Sequence, residues 1–270
     1  EASPDIEGMF AGQEKRTREN ALTQLNPLFL RVRLLDPSPF LRHFDGLAYW
    51  LFSRKGLLLW LLLVLAAGLG SFLHWRELTF EIGEVMQSPR SLLLLWLLYP
   101  SVKLVHELTH GMALRRWGGE THRMGVSLVL LTPIPWVDAS AASRFPHRYQ
   151  RFLVSAAGIM AELGLAAVAF FIWRASQPGG LHDAALLVML ISSISTLLFN
   201  GNPLLRYDGY FMLCDALGIP NLAARSSAFW GCLAQRYLLR LPVESQQVAA
   251  GERVWLALYA PSAFAYRLLL

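Results

Sequence analysis

Ser91–Trp117 reads SLLLLWLLYPSVKLVHELTHGMALRRW. It is an apolar run long enough to cross a bilayer, yet it carries Lys103, His106, Glu107 and His110. A fully charged group at mid-bilayer costs roughly 2.5–3.5 kcal/mol, so these four together call for compensation. On a helix, residues three and four apart share a face, which puts all four on one side. His106-Glu107-Leu108-Thr109-His110 is an HExxH motif, whose two imidazoles can reach one Zn²⁺. Glu107 can then point at a zinc-activated water and take its proton. The bland alternative is a helix that ends early, leaving HELTH as a polar turn. Gly111-Met112-Ala113-Leu114 speaks against it by continuing the apolar run up to Arg115.

The rest of the chain fits a lipid-facing exterior. Hydrophobic residues make up 54% and charged residues 16%. A soluble globule carries about 25% charged residues, so much of this surface does not face water. Gly56–Trp75 is a charge-free run reaching about 30 Å as a helix. Phe152–Trp173 follows with the single acid Glu162, then Ala184–Leu205 without charge. Val254–Leu270 is the weakest candidate because it contains Pro261 and Arg267. The fold expected is an all-α polytopic membrane protein of four to five transmembrane helices. Two cysteines, Cys214 and Cys232, form no CxxC pair and read as packing residues.

Basic residues alternate along this path. Lys15, Arg16, Arg18, Arg31, Arg33, Arg42, Arg54 and Lys55 precede the first span, and an acid-leaning loop with Glu77, Glu81 and Glu84 follows it. Arg115, Arg116, Arg123, Arg144, Arg148 and Arg151 fill the next loop. The one around Gln177–Leu181 has neither Lys nor Arg, and Arg206, Arg225, Arg236 and Arg240 come after the fourth span. The positive-inside rule gives a cytoplasmic N-terminus. It also explains the net charge of +5 without nucleic acid. Residues 1–47 read as a cytoplasmic N-terminal segment and 48–270 as the transmembrane domain. Leu28–Phe44 reads equally as a membrane-surface segment or an ordinary loop. The chain starts with Glu and stops inside AFAYRLLL, which reads as an excised piece or a processed chain.

A catalytic zinc site takes three protein ligands and a water. His106 and His110 lie roughly 14 and 8 Å from Arg115 along the helix, nearer the cytoplasmic side. The fourth span ends on that side with Asn202-Pro203-Leu204-Leu205-Arg206-Tyr207-Asp208-Gly209-Tyr210. Pro203 breaks the helix, and Gly209 lets the backbone turn after Asp208. Position favours Asp208 as third ligand, with Asp138, Glu162, Asp215, His122 and His147 as rivals. Lys103 and Glu162 are expected to form a buried ion pair beside the site, or else Lys103 snorkels.

HELTH on one span with NPLLRYDGY ending a later one resembles the site-2 protease family of intramembrane zinc metallopeptidases. Ala156-Ala157-Gly158-Ile159-Met160-Ala161-Glu162 is similar to that family's Gly-Pro…Asn element, but Ile159 replaces Pro and Glu162 replaces Asn. These departures look like a bacterial branch associated with peptide processing or secretion. The resemblance covers about Leu28 to Ala224. It implies Asp208 as third zinc ligand, Glu107 as catalytic residue and Asn202 as a holder of substrate backbone or oxyanion. Capping the break at Pro203 is Asn202's alternative role. It also implies that Val126–Asp138 forms a membrane-associated β-hairpin whose edge pairs with unwound substrate; a plain cytoplasmic loop is the alternative. The function expected is intramembrane zinc proteolysis of membrane-embedded or membrane-bound peptides, in a bacterial inner membrane. The alternative is a non-proteolytic component that keeps structural zinc and docks a secretion-adaptor protein.

Overall fold

The computed structural model describes residues 29–129, 132–237 and 251–269. Lys15, Arg16, Arg18 and Arg240, used above for orientation, lie outside them, as do the hairpin's residues 130 and 131. The chain is mostly helical, and four helices are long and apolar enough to cross a membrane. In chain order the elements begin with β1 (Phe29–Leu35), α1 (Ser38–Arg42), α2 (Asp45–Leu51), α3 (Arg54–Leu73) and α4 (Trp75–Met86). Next come α5 (Pro89–Arg116), β2 (Met124–Val129), β3 (Thr132–Val137), α6 (Arg148–Ala175) and α7 (Gly180–Ile194). A π-helical turn over Ser195–Asn200 prolongs α7, and α8 (Asp208–Leu217), α9 (Leu222–Tyr237) and α10 (Glu252–Leu269) complete the chain. The four long helices are α3, α5, α6 and α7 with its π turn. The fifth apolar stretch is also helical, as α10, but is not among the four.

The architecture is not purely helical. The expected hairpin exists as β2 and β3, paired antiparallel from Met124↔Val137 to Val129↔Thr132. β1 adds a third strand, so the sheet order is β1-β2-β3. Phe29–Leu35 is therefore a strand and not the ordinary loop considered above. Its Val and Leu residues alternate with Arg31 and Arg33, a period of two that suits a strand.

Helix ends follow local chemistry. Ser53 caps α3 by accepting from the Gly56 N–H at 3.1 Å. Pro89 opens α5, where its missing N–H costs nothing. Gly218 closes α8 in the left-handed conformation.

α6 is the hub, packing against α3, α5, α7 and α8. One end of the bundle is an apolar cluster of Ala67, Leu78, Phe170, Trp173, Leu186 and Met189. At the other end Leu41, Ala48 and Phe52 from the short N-terminal elements pack on Met112, Ala113, Leu114, Val154 and Ala157. Arg115 clamps Asp45 with two hydrogen bonds of 2.5 and 2.6 Å, tying α2 to α5. This guanidinium holds the Asp45 carboxyl below its usual range. A third cluster joins α8, α9 and α10 through Tyr210, Cys214, Leu222, Leu256 and Tyr259.

Gly125 sits in β2 opposite Arg33, and a Cβ there would run into the Val32 carbonyl and the Trp136 ring. Gly125→Val is therefore expected to detach β1 from β2 while leaving the helices folded. Hydrogen exchange should show lost protection in Val32–Leu35 and unchanged protection in α5 and α6.

Candidate metal centre

Three side chains from two elements converge on one point. His106 and His110, four residues apart on α5, turn their Nε2 atoms toward each other at 3.2 Å. Asp208, the first residue of α8, brings Oδ2 to 3.0 Å from His106 Nε2 and 3.4 Å from His110 Nε2. Among the described residues this is the one group of His, Cys, Asp or Glu arranged to hold a metal ion.

Hydrogen bonding shows how the group can receive a cation. His110 Nδ1 lies 2.7 Å from the Val154 carbonyl, which can only accept, so Nδ1 carries the proton. His106 Nδ1 lies 2.9 Å from Glu162 Oε1, in an oblique approach that meets the N–H direction only in part. The nearness of that carboxylate oxygen favours Nδ1 as the site of the proton in neutral His106. Both Nε2 atoms then carry lone pairs, and both face a carboxylate oxygen. Asp208 Oδ2 is itself buried without an aligned hydrogen-bond donor among the described residues. Three acceptors meeting this closely repel one another unless something positive lies between them. A divalent ion with tetrahedral bonds of about 2.0–2.1 Å spaces its ligands about 3.3 Å apart, close to the observed edges. The donor set and its spacing fit such an ion.

Glu107 stands beside the triangle and outside it. Its Oε2 accepts the Val137 backbone N–H at 2.9 Å, so the end of β3 fixes the carboxylate. The adjoining strand is shaped to match. Pro133 and Pro135 face positions of β2 where the ladder needs no proline N–H, which places their missing donors on the outer edge. Val137, next in that alternation, gives its N–H to Glu107.

Loop geometry brings Asp208 in. The π turn of Ser195–Asn200 ends the fourth long helix before Pro203 is reached. Gly209 serves a different purpose from the one expected. It lies inside α8, and a Cβ there would meet the Gly201 carbonyl oxygen at 2.6 Å. Its bareness permits a backbone contact rather than a turn. Asn202 Oδ1 accepts the Leu204 N–H at 2.9 Å, the capping role considered above.

The rival ligands have other partners. Asp215 pairs with Arg151 at 2.8 Å, and His122 lies 3.0 Å from Asp36. Asp138 accepts from the Ser140 N–H at 3.0 Å, and His147 stacks on Tyr149. Glu162 sits behind His106 rather than among the ligands. Its ion pair with Lys103 is present at 2.6 Å. Ser195, Thr196 and Asn200, which the sequence reading passed over, surround the same carboxylate. The signal was there as polar residues inside an otherwise apolar run. Gly158 was quoted for its motif without a role. A Cβ on it would strike the His106 ring and come within 2.5 Å of His110 Nε2.

Comparison of the chain with protein-family models, with curated proteins and with solved structures finds no match.

The glycine contact yields a direct test. In Gly158→Ala the new methyl occupies the space of both imidazoles, so metal content should fall well below wild type. Far-UV circular dichroism should stay unchanged, because alanine suits a helix better than glycine.

Proposed function

We propose that this protein is an intramembrane zinc metallopeptidase that hydrolyses membrane-embedded or membrane-bound peptides. The observation that carries the reading is the close triangle of His106, His110 and Asp208 with Glu107 fixed beside it. A structural metal site does not require a carboxylate placed as Glu107 is, beside the ligands and not behind one of them. The likeness of HELTH and NPLLRYDGY to the site-2 protease pattern points the same way.

The membrane supplies the setting. α3 exposes Leu58, Leu62, Leu65, Leu69, Phe72 and Leu73, and α5 exposes Leu92, Leu93, Trp96 and Leu97. Apolar surface on this scale belongs against lipid. With basic residues marking the cytoplasmic side, the metal ligands lie nearer that side of a bacterial inner membrane, with the N-terminus cytoplasmic.

A zinc ion held there would polarise the scissile carbonyl and make water acidic enough to supply hydroxide near neutral pH. The chain's own residues do the rest. Glu107 takes the proton of the attacking water and returns it to the departing amine. The Val137 N–H bond keeps that carboxylate aimed. The outer edge of β3 presents carbonyls at Pro133 and Pro135, so an extended substrate laid along it donates its N–H groups. A helical substrate must unwind first, since its own backbone bonds occupy those groups.

The test is metal content by mass spectrometry together with cleavage of a fluorogenic transmembrane peptide, in detergent-purified protein. Wild type should hold about one zinc per chain, and Asp208→Ala should lose most of it. Glu107→Gln should keep the metal while cleavage falls roughly 10²–10⁴-fold, the usual contribution of a general base. Zinc retained without cleavage by wild type would favour the non-proteolytic, adaptor-docking role. Wild type without zinc would end the metallopeptidase reading.

A further inference from the structure

Glu162 is the most enclosed ionisable group described, with 0% of its surface exposed. Its Oε1 accepts from Lys103 Nζ at 2.6 Å, Asn200 Nδ2 at 2.9 Å and Ser195 Oγ at 3.3 Å. Oε2 accepts from Thr196 Oγ1 at 2.8 Å. Lys103 is itself buried and also reaches Ser195 Oγ at 2.5 Å. The π turn accounts for this convergence, since its wider winding places Ser195, Thr196 and Asn200 around one carboxylate.

A buried ion pair is poor evidence for stability, because well-packed apolar residues commonly do as well. Its location supplies a better reason. Glu162 Oε1 lies 2.9 Å from Nδ1 of His106, on the side of the ring away from Asp208. A carboxylate behind a ligating histidine fixes the tautomer, orients the ring and raises the basicity of the other nitrogen. Charge is matched as well. A divalent ion faces three carboxylates, Asp208, Glu107 and Glu162, and Lys103 supplies the third positive charge. The occupied centre is then neutral, the condition under which it can sit among apolar helices.

We infer that Glu162 is a positioning residue for the metal ligand His106 and that Lys103 is its charge-balancing partner. This rests on the metal-site reading above but assigns a role that reading does not require. Lys103→Met/Glu162→Gln isolates it, because the double variant removes one charge of each sign and leaves the site's net charge unchanged. It also avoids stranding a lone buried lysine, which can prevent Glu162→Gln alone from folding.

The experiment measures zinc affinity by competition with a chromogenic chelator, and the visible spectrum of the Co²⁺-loaded protein. It compares the full chain in detergent as wild type, Asp208→Ala and the double variant. The double variant should bind zinc about 10–100-fold more weakly and shift the Co²⁺ bands, with helical content retained. Wild-type affinity and spectrum in the double variant would overturn this inference and leave the metallopeptidase reading standing. A wild type that takes up neither metal, no better than Asp208→Ala, would overturn both.

Discussion

An unpaired charge is expensive away from water, and the arrangement around α5 and α6 follows from that constraint. Lys103, His106, Glu107 and His110 occupy one face of a helix whose other faces are leucine-rich. Each needs a partner from a neighbouring element, so the neighbours are fixed to within hydrogen-bonding distance. Lys103 takes Glu162, His106 takes Glu162 and Asp208, His110 takes the Val154 carbonyl, and Glu107 takes the Val137 N–H. These contacts bring α5, α6, β3 and the start of α8 into one register. Packing then fills in around them. Small residues on α6, among them Ala157 and Gly158, let the two helices approach closely enough for the imidazoles to lie over a bare backbone.

Much of this was legible in the chain itself. The four long helices announce themselves by length and apolarity, and HExxH by its four-residue spacing. The Lys103–Glu162 pair follows from the cost of burying either group alone. Asp208 could be ranked first among carboxylates by its place at the end of a span and by the motif around it, and the structure does bring it to both imidazoles. The misses have a common cause, contact between segments remote in sequence. β1 is a strand because β2 offers it an edge, and nothing within Phe29–Leu35 names that partner. Gly209 looked like a turn residue because the Asp-Gly pair is a local signal. Its actual constraint is the carbonyl of Gly201, brought close by the π turn. That turn was itself hidden, since no local residue signature marks the change from α to π winding.

A second polar cluster, at the other end of the bundle, sharpens the meaning of the first. Glu81 Oε2 accepts from Trp173 Nε1 at 2.7 Å and from His182 Nε2 at 2.9 Å. Ser176 Oγ lies 3.3 Å from His182 Nδ1. Here Glu81 Oε2 meets two donors, and the contacts tie α4 to the facing ends of α6 and α7. Such a set is complete as it stands and has no need of a ligand. The triangle of His106, His110 and Asp208 is built from similar residue types at comparable burial, on α5 and α8 rather than α4, α6 and α7. It differs in one respect: with both imidazoles neutral and protonated on Nδ1, its inward-facing atoms are all acceptors. Residue identity alone therefore does not separate a structural clamp from a candidate reaction centre. The sense of the hydrogen bonds does, and it singles out the His106, His110 and Asp208 cluster as the one able to take a cation.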